Sequence, residues 1–491
     1  MINACFPVCI RQDCTRETGP FLPAMKYMYL IAVFAGWAGA CQPIPADRNS
    51  NPPRPDTPVA FSLDELQRRT FLYFWEQADS GNWQIPDRYP TRRFSSIAAT
   101  GFGLTAYLVG VERGYITRQM AAERVHNTLQ VLINLPQGPD ESGISGHKGL
   151  FYHFLTYENA HRYQQVELST IDTGLLMAGI LSTQSYFDGD GATEQRIRQW
   201  ADTLYRRVEW DWAMKDNGFM SMGWKPESGF LSAQWDGYNE AMILLVLALG
   251  SPTHAIPAES WDHWTSTYEW TTFQGYEHLN FSPLFGHQYS HMYIDFRGIN
   301  DAYMREKGID YAENSRRATY ANRAYCIENP LGFPHYAENV WGLTACDGPN
   351  DTLAILRRRE IVFHSYWARG ASALHVRDDG TLAPTAAGGS VPFAPEICIP
   401  ALKQMWDQYH DELVDEYGFK DAFNPAYTFG NVGEKGWFDI DYLGIDQGPI
   451  LIQIENHRSA LVWDLMKKNP YIRAGLEKAG FTGGWLEGKN K

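Results

Sequence analysis

The chain has 491 residues, of which 44% are hydrophobic and 14% aromatic, so it holds ample material for a large core. Its formal net charge of −15 and the absence of a basic stripe in the sequence argue against nucleic-acid binding and against an anionic substrate. The many aromatic residues (17 Trp, 27 Tyr and 25 Phe) are typical of a heavily packed core, and Trp and Tyr are also the side chains that stack on sugar rings.

Residues 25–41 have the layout of a secretory signal peptide, with a lysine near the start, an apolar run and a small-residue cleavage site. The run Ala38-Gly-Ala-Cys resembles a bacterial lipobox, in which the cysteine is lipidated and becomes the first mature residue. The apolar run is too short for a transmembrane helix. We therefore expect residues 1–41 to be a leader and lipoprotein signal peptide with its true start at Met25. The protein would reach the membrane only through a lipid on Cys41, or be secreted, which places it in the bacterial cell envelope.

Residues 42–60 are rich in Pro, Asn and Asp and predict a tether, followed by a single domain over residues 61–491. That domain contains three cysteines, Cys326, Cys346 and Cys398, and this odd number excludes a disulfide framework. Their spacing does not suit a metal site, so we expect buried small hydrophobic residues with at most one disulfide.

From residue 61 onward, helical patterns alternate with aromatic, glycine-rich connections. Amphipathic helices are predicted over residues 63–76, 117–135 and 193–209. Helices that are apolar on nearly every side are predicted over residues 98–111, 170–181, 239–249, 395–405 and 449–465. A helix that is apolar on every side has to be surrounded by protein, so inner and outer helices alternate. We predict an all-α, single-domain (α/α)6 barrel, in which these apolar helices are five of the six inner ones.

Strand signals are few, and short β-hairpins are predicted only around residues 364–376 and 381–390. The connections over residues 261–293 and 332–350 are far longer than typical loops, which usually indicates function. We expect these long loops and short hairpins at the face of the barrel that carries the active site.

Three predicted inner helices have an acidic residue at or just before the N-terminus, namely Asp172, Glu240 and Asp446. Inner helices of such a ring run parallel, so these carboxyl groups are expected to converge at one mouth. Carboxylates that converge on an aromatic cleft are typical of glycoside hydrolases. Glu240 lies beside Trp235 and Tyr238 at the start of a very apolar helix, where desolvation raises a carboxyl pKa as a general acid requires.

Each acid also has a structural explanation. Acidic residues such as Glu240 favour the first turn of a helix because they complement its macrodipole. Ser169 and Asp172 have the spacing of a capping box, and Asp446 could cap the helix that follows it. Glu167 lies on the connection before its helix and could line the cleft.

The segment around His287 and His291 places two histidines four residues apart. Metal binding would need a third ligand, and the helical character of the segment is poor, so sugar binding or loop packing is favoured over zinc. Arg297 belongs to a charged cluster that could be a buried network or a hydrogen-bonding subsite. The sequence predicts neither a metal site nor a cofactor.

Several motifs occur in order along the chain: Glu-Leu-Ser-Thr-Ile-Asp-Thr (167–173), Gly-Tyr-Asn-Glu-Ala-Met (237–242), Leu-Phe-Gly-His-Gln-Tyr-Ser-His (284–291), Trp-Gly-Leu-Thr-Ala-Cys-Asp-Gly-Pro (341–349) and Gly-Ile-Asp-Gln-Gly-Pro (444–449). They resemble the bacterial glucoamylase-like group that contains glycoside hydrolase family 144, the β-1,2-glucanases. The resemblance covers residues 61–486.

The resemblance implies an (α/α)6 barrel and hydrolysis of a neutral β-glucan with inversion. The substrate would be β-1,2-glucan, cleaved internally or from an end to release sophorose. Glu240 would be the general acid. Asp446 is the first choice for the base, with Asp441 and Asp439 next, and Asp172 completes the acidic set.

The remaining site residues would orient substrate hydroxyls or stack on sugar rings: Glu167, Trp235, Tyr238, His287, Tyr289, Arg297, Trp341 and Asp441. Three alternatives stay open: another glycosidic linkage, a lyase that uses Tyr289 or His291 as base, and a non-catalytic glycan-capture lipoprotein. The acidic composition disfavours the uronic acids that a lyase would cleave. The expected partner is a glucan or oligosaccharide, without nucleic acid, and the expected assembly is a monomer.

Overall fold

A computed structural model describes residues 59–488. The chain divides into two units, Met1–Val59 and Ala60–Lys491, and the second contains all the helices and strands of the described residues. The predicted signal peptide, the lipidation at Cys41 and nearly all of the 42–60 tether lie outside the described residues. Within the described range, no helix combines the length and apolar character needed to cross a membrane.

Helices dominate the second unit. They are α1 (Leu63–Gln77), α2 (Ile97–Glu112), α3 (Arg118–Asn134), α4 (Thr170–Tyr186), α5 (Ala192–Arg206), α6 (Met242–Gly250), α7 (Glu259–Thr265), α8 (Tyr289–Tyr293), α9 (Ala302–Lys307), α10 (Tyr311–Glu328), α11 (Pro384–Gly388), α12 (Pro395–Gln408), α13 (His410–Leu413), α14 (Gly444–Ser459), α15 (Leu461–Lys468) and α16 (Pro470–Lys478).

Six of these helices, α2, α4, α6, α8, α11 and α14, form an inner ring whose members are buried on nearly every side. Around the ring, α2 packs on α4 and α14, α4 on α6, α6 on α8, and α14 on α8 and α11. Helices such as α1, α3 and α5 pack outside with one buried face. The predicted (α/α)6 barrel is therefore confirmed.

Three sequence predictions about elements are wrong. The 395–405 segment, predicted as an inner helix, is the outer helix α12, in which Glu396, Lys403 and Asp407 are exposed. The inner position belongs to α11, which replaces the hairpin predicted over residues 381–390. The last inner helix runs over Gly444–Ser459 instead of 449–465, and a left-handed residue at Ala460 separates it from α15.

The tightest helix contact in the ring lies between α2 and α4. A Cβ atom at Gly179 would stand 2.1 Å from the carbonyl oxygen of Gly101, and a Cβ at Gly101 would stand 2.6 Å from the carbonyl oxygen of Leu175. The two backbones touch only because these positions lack side chains.

We expect Gly179→Ala to lower the free energy of unfolding by about 1–3 kcal/mol, because the added methyl group meets main-chain atoms that cannot rotate away. Thermal and urea unfolding measure the effect. Gly433→Ala is the matched control, since a Cβ there has no neighbour within 4 Å, and we expect a change within about 0.5 kcal/mol. Equal stability of the two variants would contradict the close approach.

The strands are short and lie in the connections. They are β1 (Arg88–Tyr89), β2 (Ser95–Ser96), β3 (Gly146–His147), β4 (Leu150–Tyr152), β5 (Phe154–Leu155), β6 (Leu168–Ser169), β7 (Gly223–Lys225), β8 (Gly229–Phe230), β9 (Trp270–Phe273), β10 (Tyr276–Leu279), β11 (Ala345–Asp347), β12 (Thr352–Leu356), β13 (Arg359–Phe363), β14 (Tyr366–Ala368), β15 (Gly370–Ala371), β16 (Val376–Arg377), β17 (Val414–Asp415), β18 (Gly418–Phe419), β19 (Phe423–Asn424), β20 (Trp437–Phe438) and β21 (Tyr442–Leu443).

Two groups of strands position the candidate site. A five-stranded antiparallel sheet in the order β3-β4-β6-β7-β8 leads directly into α4. The pairs β1-β21, β11-β14 and β19-β20 bring segments from distant parts of the chain beside the start of α14. A hairpin is predicted within residues 364–376. In the structure β15 pairs locally with β16, whereas β14 pairs with β11, which comes earlier in the chain.

Candidate active site

The three predicted acids lie at the N-terminal ends of inner helices. Asp172 is in the first turn of α4, Glu240 lies two residues before α6, and Asp446 is in the first turn of α14. All three are buried, and all three lie near the hydroxyl of Tyr289 at the start of α8, whose pKa is raised by burial and further by Asp446, Glu240 and Asp172. The inner ring therefore gathers three carboxyl groups around one tyrosine.

Glu240 has the environment of a general acid. Its side chain is only 3% exposed, and its Oε2 atom has no hydrogen-bond partner among the described residues. Burial, reinforced by the charge of Asp172, raises the pKa of Glu240 to about 7. Ser290 of α8 holds this position in place, because its hydroxyl donates to the Glu240 carbonyl and accepts the Ile243 N–H, each at 2.9 Å.

Asp172 belongs to a second arrangement, a histidine between two carboxylates. His153 Nδ1 lies 2.9 Å from Glu167 Oε1, and His153 Nε2 lies 3.6 Å from Asp172 Oδ1. Burial opposes a charge on His153, but Asp172 and Glu167 outweigh it and raise its pKa to about 9. His153 in turn overcomes the burial of Glu167 and lowers the pKa of that carboxyl to about 2. The site therefore holds a fixed imidazolium next to an ionised glutamate.

Asp172 takes part in capping α4, as the capping-box spacing with Ser169 predicts, but this involves only one of its two oxygens. Ser169, the N-cap of α4, accepts the Asp172 N–H at 3.2 Å, and its hydroxyl donates to Asp172 Oδ2 at 2.5 Å. The other oxygen of Asp172 faces His153. Asp172 thus stabilises the helix start and also contributes to the acidic site.

Asp446 does not cap its helix. The N-cap of α14 is Leu443, and no side chain forms a cap hydrogen bond there among the described contacts. Burial raises the pKa of Asp446 above the usual range of a carboxyl group, and Asp421 lies within hydrogen-bonding reach of it. A carboxyl group in this position can exchange a proton near neutral pH.

Strand pairing surrounds Asp446 with further acids. The β1-β21 pair places Arg88 opposite Leu443, and the Asp421 N–H donates to the carbonyl oxygen of Asp441 at 2.9 Å. The Asp347 N–H donates to Asp421 Oδ2 at 2.8 Å. The complete cluster consists of one arginine, Arg88, and six acids, Asp87, Asp347, Asp421, Asp439, Asp441 and Asp446.

Comparison with known proteins agrees with this geometry. A family model described as "Putative glucoamylase" matches residues 232–470. A crystal structure under the same description, from Bacteroides uniformis, is 31% identical with a TM-score of 0.74, and the match covers 87% of this chain and all (100%) of that one. The chain belongs to the glucoamylase-like family. The resemblance of the sequence motifs to this group is thereby confirmed.

Two further relatives of this glucoamylase-like chain have named activities. The structure of an endo-β-1,2-glucanase from Chitinophaga pinensis, a complex with sophorotriose and glucose, is 28% identical with a TM-score of 0.75 and covers 87% of this chain and 100% of its own. An exo β-1,2-glucooligosaccharide sophorohydrolase (non-reducing end) from Parabacteroides distasonis is 29% identical over 448 residues, or 85% of this chain. The chain spans 57% of the length of that curated relative.

The predicted stacking residues of this glucoamylase-like protein do not present open ring faces. Trp235, Tyr238 and Trp341 are 3%, 2% and 0% exposed. The indole N–H of Trp235 donates to Thr170 Oγ1 at 2.9 Å, and Tyr238 packs on the ring of His287 at 4.9 Å between centroids. These three rings are therefore part of the core, and their stacking on sugar rings stays a prediction.

Two predicted polar contacts also lie elsewhere. His287 is buried, and burial lowers its pKa well below the usual range, so it is a neutral packing residue under Tyr238. Arg297 lies past the C-terminal end of α8, whereas the acids lie at the N-terminal ends of their helices. It forms a salt bridge with Asp295 at 2.7 Å and covers the ring of Trp463. The predicted role of Arg297 in orienting the substrate stays a prediction, and in the structure its guanidinium pairs with Asp295 instead of an acid of the site.

Other predicted residues do lie at the site. Glu167 contacts His153, and Tyr289 donates to the carbonyl oxygen of Ile445 at 3.3 Å beside Asp446. Asp441 accepts the Thr91 N–H at 2.7 Å, so one of its oxygens is committed to the main chain.

His153 and Tyr366 are among the residues that sequence reasoning missed. His153 follows β4 and has no distinguishing motif, since its partners depend on the β4-β6 pairing. Tyr366 is 42% exposed, lies opposite Asp347 in the β11-β14 pair, and its hydroxyl is within the field of Asp347 and Asp446. Its ring is partly open, in contrast to the buried rings of Trp235 and Trp341.

Proposed function

We propose that this protein hydrolyses β-1,2-glucan by an inverting acid/base mechanism. The observation that carries the proposal is the partnerless, buried Glu240 with a pKa of about 7, at the same mouth as Asp446. The named relatives that match most of the chain, an endo-β-1,2-glucanase and a sophorohydrolase, supply the substrate class.

In this mechanism Glu240 donates its proton to the departing glycosidic oxygen. Asp446 accepts a proton from the water that attacks the anomeric carbon on the opposite face, directly or through a substrate hydroxyl. In inverting enzymes the two carboxyl groups are typically about 6.5–9.5 Å apart, which leaves room for that water. The Glu167–His153–Asp172 group and Tyr366 offer charged and aromatic contacts for neighbouring sugar rings.

The direct test is incubation of the full-length protein with linear β-1,2-glucan, followed by analysis of reducing ends and product size. A ladder of short oligomers supports endo action, and a single disaccharide supports exo action. An unchanged polymer would contradict the proposal and point to another linkage or to glycan capture without turnover. Ultraviolet-absorbing products would indicate a lyase.

The rate should fall at alkaline pH. The pKa of Glu240 is raised above its usual value, so the protonated form that donates persists up to about pH 7 and is lost as the pH rises further. We expect kcat/KM to decrease about tenfold per unit above about pH 8. A pH profile on β-1,2-glucan measures this limb. A rate that stays constant to about pH 9 would contradict the assignment of Glu240.

We also propose that the protein is a monomer held at the bacterial cell envelope by a lipid on Cys41. The motif Ala38-Gly-Ala-Cys and the Pro-rich segment after it support this location. Labelling with a fatty-acid analogue, and loss of the label in Cys41→Ser, tests the anchor. Unlabelled wild-type protein would contradict it. Light scattering of detergent-solubilised protein tests the monomer.

A further inference from the structure

Three carboxyl groups meet beside α14 in an arrangement that suits a cation. One oxygen from each of Asp347, Asp421 and Asp439 lies within 4.8 Å of the other two. Asp347 ends β11, Asp421 precedes β19 and Asp439 follows β20, so three separate segments converge there. Asp421 and Asp439 are buried, at 2% and 7% exposure.

A second observation is that two of these buried oxygens have no N–H or hydroxyl donor among the described residues. Asp421 Oδ2 accepts the Asp347 N–H at 2.8 Å, and Asp439 Oδ1 accepts the Asp441 N–H at 3.1 Å. Asp421 Oδ1 and Asp439 Oδ2 accept no hydrogen bond from an N–H group or a hydroxyl group of the described residues, and the group that reaches Asp421 is another carboxyl, that of Asp446. Burying a carboxylate oxygen without a partner is costly, so native proteins pair such atoms or coordinate them to a metal.

The cationic side chain of this cluster, Arg88, already forms two ion pairs. The Arg88 guanidinium lies 3.0 Å from Asp87 and 2.5 Å from Asp347, and within residues 59–488 it forms no ion pair with Asp421 or Asp439. Six acids therefore share one arginine. The local excess of negative charge calls for either protons or a metal ion.

We propose that Asp347, Asp421 and Asp439 bind a calcium ion. The available ligands are carboxylate oxygens alone, which favour hard cations over zinc or copper. Oxygens within 4.8 Å of one another can share one Ca²⁺ ion at Ca–O distances of about 2.3–2.6 Å. Calcium accepts irregular coordination, whereas Mg²⁺ requires near-ideal octahedral geometry, which carboxylates from three separate segments satisfy less readily.

The ion would act on the reaction through a neighbour. Asp421 lies within hydrogen-bonding reach of Asp446, so an ion on Asp421 would hold that carboxyl ionised and fix the position of Asp446. This consequence depends on the proposed function. The binding of calcium itself does not, and it can be measured without substrate.

The test is isothermal titration calorimetry of CaCl₂ into full-length protein that has been stripped with a chelator, together with thermal unfolding with and without CaCl₂. We expect one Ca²⁺ per chain, a higher Tm with calcium, and weaker binding of MgCl₂. No heat and no Tm change would overturn the proposal and favour protons shared between the carboxyls. Equal affinity for MgCl₂ would overturn the assignment to calcium.

Variants locate the site. Asp421→Asn and Asp439→Asn should each weaken calcium binding about tenfold or more, because a charged ligand is lost. The matched control is Asp464→Asn, an exposed acid on α15 paired with Lys467, which should bind calcium like wild type. Circular dichroism checks that each variant is folded. The titration of the wild-type protein remains a valid test of calcium binding even if one variant is unfolded. Wild-type affinity in both folded site variants would overturn the location.

Discussion

Glu240→Gln is expected to lower kcat on β-1,2-glucan by about 10²–10⁴-fold, because glutamine has the same shape and cannot donate the proton that the leaving oxygen needs. The fold should survive, since Glu240 Oε2 has no hydrogen-bond partner to lose among the described residues. The measurement is the initial rate of reducing-end formation, with circular dichroism and Tm as checks of folding.

A substrate that needs no protonation separates an acid role from a structural one. On an aryl β-sophoroside with a dinitrophenol leaving group, Glu240→Gln should keep most of the wild-type rate, and its alkaline limb should disappear. Glu313→Gln, in the first turn of the outer helix α10, is the matched control and should behave like wild type on both substrates. Equal losses on both substrates in Glu240→Gln would contradict the acid role.

Asp446→Asn is expected to cause a loss of similar size, about 10²–10⁴-fold, because the attacking water loses its proton acceptor. Sodium azide needs no deprotonation, so it should partly restore turnover and give an α-configured glycosyl azide. Product analysis by NMR measures both the rate and the configuration.

Asp441→Asn is the comparison for the base, since Asp441 was the next candidate and lies in the same cluster. One of its oxygens accepts the Thr91 N–H, which indicates a structural role. We expect a smaller loss without azide rescue. Rescue in Asp441→Asn and none in Asp446→Asn would transfer the role of base to Asp441.

Much of the barrel could be predicted because helix burial is a local pattern. Residues 98–111 and 170–181 are apolar on every side and became α2 and α4 of the inner ring. The pattern failed where helices are short. The inner helices α8 and α11 have five residues each, which is too few to display a period, so the pattern predicts an inner helix at α12 instead.

The residues of the candidate site likewise fall into those that a local sequence pattern predicts and those that it does not. Asp172, Glu240 and Asp446 could be found because each is adjacent in sequence to an apolar helix. Arg88 and Asp347 could not be found, because strand pairing between distant segments brings them to the site, as when β1 pairs with β21 near the other end of the chain. A strand of two residues is also too short to show an alternation of polar and apolar residues. The burial of Trp341 could not be predicted either, because composition does not distinguish a core ring from a surface one.

The most direct test of the account is the anomeric configuration of the first product, followed by ¹H NMR while linear β-1,2-glucan is cleaved. An inverting pair formed by Glu240 and Asp446 predicts that the α-anomer appears first and then mutarotates. Initial release of the β-anomer would mean that a carboxylate attacks the sugar directly, and it would contradict the assignment of acid and base to these two residues.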